Sequence, residues 1–283
     1  MDRTVSLGGG SEKAPAVVNS ARGRTRLRTV ALPVEHGGWS LTLEPVALGL
    51  IVVPSTAGLF LALATLAAFL ARHPFKIVAG DRRRGRRFPR TAAAEMFLLL
   101  YGGVALASAL AAVLTAEGYA FLLPLLACLP FVAVQLFYDA AGRSRALAPE
   151  LAGSAGLCAV AASVALAGGL KPSASLVLWA LLACRAAPSI LYVRARLRLL
   201  HGETPRKLPT LASHAAALAV SCLLAWTRAA HPVAVLPFLV LTLRAARGLS
   251  AALGQGSAKR VGVTEIAYGV LTVTAVAAGV LLA

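Results

Sequence analysis

The sequence predicts an all-α fold, a polytopic membrane bundle of about nine transmembrane helices. Composition is the first observation: of 283 residues, 58% are hydrophobic and 14% charged, with a mean hydropathy of +0.77. A soluble domain of this length contains more polar surface than that. The second observation is that apolar windows of roughly 20 residues, the length that crosses a hydrocarbon core about 30 Å thick, recur along the chain.

These windows define the predicted spans in chain order. They cover residues 33–53, 57–76, 91–114, 119–138, 147–169, 173–194, 208–227, 232–250 and 261–282. An odd number of spans places the two termini on opposite sides of the membrane.

The distribution of basic residues is the third observation, because short cytoplasmic loops collect Lys and Arg. With the amino terminus inside, 26 of the 28 basic residues fall in cytoplasmic segments, and only Lys171 and Arg228 fall outside. We therefore predict a multi-pass protein of the cell membrane with a cytoplasmic amino terminus and an extracytoplasmic carboxyl terminus. The net charge of +17 follows from this topology, so nucleic acid is not expected as a partner.

Residues 1–30 have glycines, serines and arginines but no apolar run. We predict a disordered basic cytoplasmic tail here, followed by a transmembrane domain at 31–283. The tail also lacks the apolar core of a signal peptide.

Ionisable residues inside spans are candidate functional residues, because each costs several kcal/mol unless it faces a cavity or a partner. Glu44 lies nine residues into the first span from Glu35, and Arg185 lies nine residues before Arg194 on a span that ends inside. At about 1.5 Å per residue, both lie some 13 Å from the same face. We predict that they approach one another, either as a structural ion pair or in contact with a ligand.

Most of the remaining ionisable residues also fall in the cytoplasmic half, which predicts a polar cavity open to the cytoplasm. The candidate substrate-binding residues are Glu35, His36, Trp39, Glu44, His73, Lys76, Asp81, Asp139, Arg143, Glu150, Arg185, Ser189, Tyr192, Arg196 and Glu265. Alternatives stay open for several: Trp39 suits an interfacial belt, and Glu35 and His36 suit simple solvation. The four cysteines have no metal-ligand spacing, and we predict neither a metal site nor a cofactor.

Four stretches carry a family resemblance: EHGGWSLTLEP, ARHPFKIVAGDRRRGRR, LFYDAAGRSRALAPELAG and CRAAPSILYVRARLR. Together they resemble the YwiC-like family of bacterial membrane proteins, and this resemblance implies no particular activity.

The plan of nine helices with polar motifs after the second and sixth spans is also distantly similar to the UbiA superfamily of intramembrane prenyltransferases. That superfamily binds a prenyl diphosphate through magnesium, using the motifs N-D-x-x-D-x-x-x-D and D-x-x-Y-x-x-x-D. The first motif falls on His73, Pro74, Ile77 and Asp81, and the second on Ser189, Tyr192 and Arg196. Only one carboxylate is retained, so the usual magnesium site is not expected.

Arg185, Ser189, Tyr192 and Arg196 recur at steps of four, three and four residues, which places them on one helix face. Such a face suits an anionic headgroup or a diphosphate, and equally a basic helix end that snorkels to the interface. Two function classes remain open. One is a binder or modifying enzyme of an isoprenoid or anionic lipid, and the other is a transporter or structural membrane protein.

Overall fold

A computed structural model of the chain describes residues 27–33, 36–250 and 257–283. Within these ranges the chain forms helices and connecting turns. The helices are α1 (Leu27–Ala31), α2 (His36–Val52), α3 (Thr56–Arg83), α4 (Pro89–Thr115), α5 (Leu122–Ala140), α6 (Leu147–Ala167), α7 (Pro172–Leu200), α8 (Leu208–Trp226), α9 (Leu236–Gly248) and α10 (Ala258–Leu281). A 3-10 turn at Pro232–Val235 leads into α9.

Seven of these helices, α3 to α8 and α10, are long and apolar enough to cross a membrane. The all-helical, multi-pass class is therefore confirmed. The count of nine spans is not, because α2 has 17 residues and α9 has 13. The predicted span 232–250 is divided because Pro237, at the start of α9, has no N–H for a preceding helical turn.

Sequence signals at the helix ends explain the bounds. Ser55 caps α3, and its Oγ accepts a hydrogen bond from the backbone N–H of Gly58 at 3.0 Å. Pro89 and Pro172 begin α4 and α7, where a missing N–H costs nothing. α6 is followed by Gly169 at φ 93°, a left-handed conformation that glycine adopts without strain.

Polar contacts join several helix ends at one side of the bundle, which we call the polar end. Arg83 donates to the backbone oxygen of Ala141, joining the carboxyl ends of α3 and α5. Arg194 donates to Glu150 Oε2 at 2.7 Å, joining the carboxyl end of α7 to the start of α6. α4 and α8 begin a few residues after α3 and α7 end, so their starts lie at this end too. Arg260, near the start of α10, lines one cavity with Arg196, near the end of α7.

Both shorter helices, α2 and α9, pack against longer helices of the bundle. A Cβ added at Gly38, near the start of α2, would meet the ring of Phe69, and one at Gly168 would meet Val53, just after α2. Similarly, a Cβ at Gly279 near the end of α10 would meet the side chains of His231 and Val233. α2 and α9 are therefore part of the packed bundle.

α6 forms the centre of the bundle and packs against α2, α3, α5 and α7. Its middle turns consist of small residues, and Ala159, Ala161 and Val164 are fully buried. A Cβ added at Gly49 would collide with Val164, so α2 and α6 approach closely. This packing fixes the position of α2 and hence of Glu44.

The amino-terminal tail was predicted at residues 1–30. Residues 1–26 lie outside the described part of the chain, so their disorder stays a prediction. Residues 27–31 form α1, whose Val30 packs with Val78 and Ala94. Residues 27–30 of the predicted tail are therefore helical, and the domain boundary at residue 31 stays a prediction.

Candidate functional site

A buried ion pair joins α2 to α7. Arg185 Nε lies 3.0 Å from Glu44 Oε2, and the side chains are 3% and 9% exposed. The N–H of Nε does not meet hydrogen-bond geometry with any described residue, so the contact is an ion pair and not a directed hydrogen bond. Ser40 donates to the other oxygen of Glu44 at 2.6 Å. The predicted approach of Glu44 and Arg185 is confirmed.

Glu265 on α10 extends this pair toward the polar end. Its backbone oxygen accepts a hydrogen bond from Arg185 Nη2 at 2.8 Å, and its Oε2 lies 3.9 Å from the same nitrogen. Its Oε1 accepts from Nη1 of Arg244, which is on α9. Two acidic and two basic side chains therefore alternate in one chain: Glu44, Arg185, Glu265, Arg244.

The charged side chains of Glu44 and Arg185 pack against the backbone of α10 at Gly269. A Cβ built there would overlap the carboxylate of Glu44 and lie 3.2 Å from Arg185 Nη2. Gly269 lies one turn after Glu265, so the same face of α10 supplies both the carboxylate and the space for its neighbours. Glycine is required here by close approach.

Arg244 is held against two tyrosine rings. Its Cζ lies 4.0 Å from the ring centroid of Tyr192 on α7 and 4.7 Å from that of Tyr268 on α10. The side chain is 9% exposed, yet its Nε and Nη2 find no hydrogen-bond partner among the described residues. A buried polar group of this kind normally has a partner, so these two nitrogens are candidates for contact with a ligand.

A cavity of about 190 Å³ lies beside Arg244 at the polar end. Its described lining contains three arginines, two tyrosines, a serine and a threonine, but no carboxylate. The lining residues are Tyr192, Arg196, Arg244, Ser257, Arg260, Val261, Thr264 and Tyr268. We call this cavity the arginine pocket. Its guanidinium and hydroxyl groups are the donors that bind phosphate and carboxylate oxygens.

Of the four residues on the predicted face of α7, two line the arginine pocket and two lie deeper in the bundle. Arg185, Ser189, Tyr192 and Arg196 are all buried, so the face points into the protein as a unit. Tyr192 and Arg196 line the pocket, and Arg196 donates to the backbone oxygen of Gly248 at 3.1 Å. Arg185 and Ser189 lie deeper, and Ser189 Oγ has no hydrogen-bond partner among the described residues.

Two buried aspartates that were candidates for this site are placed elsewhere. Asp81 accepts from Arg90 Nη2 at 2.9 Å and from Thr91 Oγ1 at 2.7 Å, which joins α3 to α4. Asp139 accepts from Arg72 Nε at 2.6 Å and from Gln135 Nε2 at 3.2 Å. Each carboxylate is committed to a local pair, and the described residues contain no group of three or more His, Cys, Asp or Glu side chains suited to a metal ion.

The remaining candidates with described side chains are not among the residues that line the arginine pocket. His73 Nε2 lies 3.0 Å from the backbone oxygen of Thr29, and the ring of Trp39 packs edge-on against Phe69 at 5.0 Å. Glu35 lies outside the described residues, and only the backbone is described for His36. The other three candidates are Lys76 on α3, Arg143 beside Tyr138, and Glu150, which pairs with Arg194.

Sequence reasoning missed Gly269 and six of the eight residues that line the pocket, which include Arg244, Arg260 and Tyr268. Arg244 falls within the predicted span 232–250 and had been counted only as a topology charge. The rule that flags ionisable residues inside spans applies to it equally. Tyr268 and Gly269 carry no such signal, because their roles depend on which helices meet α10.

The fold and these buried charges describe an all-helical, multi-pass membrane protein with an arginine-lined pocket at its polar end. Residues 32–165 match the family model described as YwiC-like protein. The match covers just under half of the chain and includes Glu44, but it ends before α7, α9 and α10. No curated protein and no solved structure matched the chain.

Proposed function

We propose that the protein binds the phosphorylated headgroup of an amphiphile, an isoprenoid phosphate or an anionic lipid, in the arginine pocket. The observation that supports this most is Arg244, a buried guanidinium with two unpartnered N–H groups beside a cavity lined by two further arginines. Nη1 of Arg244 is bonded to Glu265, whereas its Nε and Nη2 have no acceptor among the described residues, which supports an anion as their partner.

The pocket has the chemistry of a phosphate site. A guanidinium presents N–H groups in a planar fork that matches two phosphate oxygens, and such charge-assisted hydrogen bonds are roughly twice as strong as neutral ones. The hydroxyl groups of Ser257, Thr264 and Tyr268 add donors at the rim. The two tyrosine rings fix the plane of Arg244, which lowers the entropy lost on binding.

The size of the pocket favours a headgroup over a whole ligand. About 190 Å³ is less than the roughly 300–1,000 Å³ of cavities that enclose a complete small molecule. The apolar helices around the polar end provide a lipid-facing surface for an acyl or isoprenoid tail. We therefore propose that the tail stays in the bilayer while the phosphate enters the pocket.

We further propose that binding does not need magnesium. Magnesium is held in most phosphate sites by one or two carboxylates, and the described lining of the pocket has none. The distant UbiA-like plan would bring the diphosphate to this end of the bundle, with Tyr192 and Arg196 where that superfamily has tyrosine and aspartate. Arginine would then replace magnesium as the partner of the phosphate. The excess of basic loops at this end supports a cytoplasmic location for the pocket.

Binding of inorganic pyrophosphate and of farnesyl diphosphate to the purified protein, measured by calorimetry in detergent, tests the proposal. Arg244→Gln should weaken both by at least about tenfold, since truncating a buried charge-assisted contact costs about 2–5 kcal/mol. Arg247→Gln is the matched control, because Arg247 is an exposed arginine on the same helix. Affinity unchanged in Arg244→Gln, or abolished by a chelator, would overturn the proposal.

A further inference from the structure

We infer that Glu265 sets the anion affinity of the arginine pocket, by acting as an internal counterion that moves from Arg244 to Arg185 when an anion binds. The inference rests on the proposed function, because it assigns a regulating residue to the same pocket. Glu265 is absent from the described lining of that pocket, so it acts through Arg244 and is a positioning residue.

The two oxygens of Glu265 are in different environments. Oε1 is bonded to Nη1 of Arg244. Oε2 has no hydrogen-bond partner among the described residues, and it lies 3.9 Å from Arg185 Nη2. The carboxylate therefore sits between two guanidinium groups, fully bonded to one and about 1 Å beyond hydrogen-bond distance from the other.

The backbone keeps the second position available. Arg185 Nη2 already donates to the backbone oxygen of Glu265 at 2.8 Å, so Arg185 stays beside this turn of α10 whichever way the carboxylate points. A change in side-chain torsion of Glu265 is enough to bring Oε2 to Arg185. No helix has to move.

Electrostatics predicts that the charge of Glu265 weakens anion binding in the pocket. With the pocket empty, the carboxylate neutralises Arg244 and offsets the cost of burying it. A phosphate at Arg244 would lie close to that carboxylate, and two negative charges in a buried site repel strongly. Transfer of the carboxylate to Arg185 relieves the repulsion and leaves Arg244 fully available. Removing the charge of Glu265 should therefore strengthen anion binding.

Glu44 also influences whether Glu265 pairs with Arg244 or with Arg185. Its Oε2 lies 3.0 Å from Arg185 Nε, so Glu44 and Glu265 share one guanidinium. When Glu44 loses its charge, Arg185 attracts Glu265 more strongly and Arg244 is released. A residue of α2 that is absent from the described lining of the pocket should thus alter the affinity of the pocket.

The experiment measures inorganic pyrophosphate binding to the full-length protein by calorimetry in detergent. Glu265→Gln should bind about tenfold more tightly than the wild type and Glu44→Gln about threefold more tightly. Both glutamines retain an oxygen that accepts from Arg244 or from Ser40, so the fold is expected to survive. The control is Glu95→Gln, which removes one charge of an ion pair with Arg87 at the same polar end and should change affinity less than about twofold.

A double variant distinguishes the exchange from a general change in charge. In the Glu265→Gln background, Glu44→Gln should have no further effect, because no carboxylate remains to be exchanged. Additive gains, or tighter binding in Glu95→Gln of the same size, would overturn the inference. So would an unchanged or weakened affinity in Glu265→Gln.

The outcomes also separate this inference from the proposed function. If the wild type binds pyrophosphate, Arg244→Gln does not, and Glu265→Gln binds as the wild type does, the proposed pocket is supported and the role of Glu265 is overturned. Absence of pyrophosphate binding in the wild type and in Glu265→Gln overturns both.

Discussion

Arg185 of α7 and Glu44 of α2 form an ion pair inside the helical bundle, with Nε 3.0 Å from Oε2. Each residue alone would place a charge in a low-dielectric interior, at a cost of several kcal/mol. Together they join α2, within the YwiC-like match, to α7, which lies outside it. The pair thereby fixes the position of Glu265 and, through it, of the arginine pocket.

Removing one partner of this pair should destabilise the protein strongly. Arg185→Met leaves Glu44 uncompensated beside Glu265, and we expect the free energy of unfolding to fall by about 3–5 kcal/mol. The double variant Glu44→Met/Arg185→Met should lose less, because Glu265 retains Arg244. Denaturation in mixed detergent micelles, followed by circular dichroism, measures both.

The exposed pair of Arg198 and Glu203 is the control for this comparison, with side chains 57% and 64% exposed. Arg198→Met should change stability by no more than about 1 kcal/mol. A loss in Arg185→Met no larger than this control, or a double variant worse than either single one, would show that the buried pair is not coupled.

Gly269 provides a steric test of the same site. Gly269→Ala forces a Cβ into the carboxylate of Glu44 and should destabilise the protein by about 1–3 kcal/mol. Gly262→Ala is the matched control on the same helix, since a Cβ there meets nothing within 4 Å. It should be neutral or stabilising, because alanine favours a helix. Equal stability of the two alanine variants would contradict the close packing of α10 on Glu44.

A variant of Asp81 tests whether this residue takes part in a magnesium site. Its carboxylate is bonded to Arg90 and Thr91, so Asp81→Asn should lower the free energy of unfolding by about 1–3 kcal/mol. Pyrophosphate affinity should stay within about twofold of the wild type, with or without a chelator. Loss of affinity at unchanged stability would instead assign ligand binding to Asp81 and return the protein to metal-dependent chemistry.

Membrane topology follows from the basic loops and remains a prediction. A reporter enzyme fused after Ala283 should be exported, whereas one fused after Glu203, between α7 and α8, should stay cytoplasmic. The measurement is the activity of an alkaline phosphatase fusion, compared with that of a β-galactosidase fusion at the same position. If the reporter after Ala283 stayed cytoplasmic, the number of membrane crossings would be even. Either α2 or α9 would then not span the membrane.

The sequence was sufficient to predict the helices and the buried pair for a simple physical reason. Apolar windows report the bilayer thickness, and the rise per residue converts sequence position into depth. Glu44 and Arg185 could therefore be matched without knowledge of the packing. Helical periodicity likewise predicted that Arg185, Ser189, Tyr192 and Arg196 share one face of α7, but not whether that face points into the protein or toward the interface. Span ends were less accurate, because α3 and α7 continue to Arg83 and Leu200 beyond their apolar runs.

The rest of the site depends on which helices meet. Arg244 and Tyr192 are about fifty residues apart, and no periodicity within α7 or α9 indicates that one stacks on the other. Asp81 matches one position of a magnesium motif, but its partners come from the start of α4 across a short loop. Gly269 resembles many small residues in membrane helices, so its contact with Glu44 could be recognised only in the fold.

Mass spectrometry of lipids that copurify with the protein tests the central claim most directly, because it identifies what occupies the arginine pocket in the cell. The wild type and the control Arg247→Gln should retain a phosphorylated isoprenoid or an anionic lipid. Arg244→Gln should have lost most of it, and magnesium chelation during purification should not. Equal amounts of the same lipid in all three proteins, or loss of the lipid on chelation alone, would contradict a pocket in which Arg244 binds the phosphate.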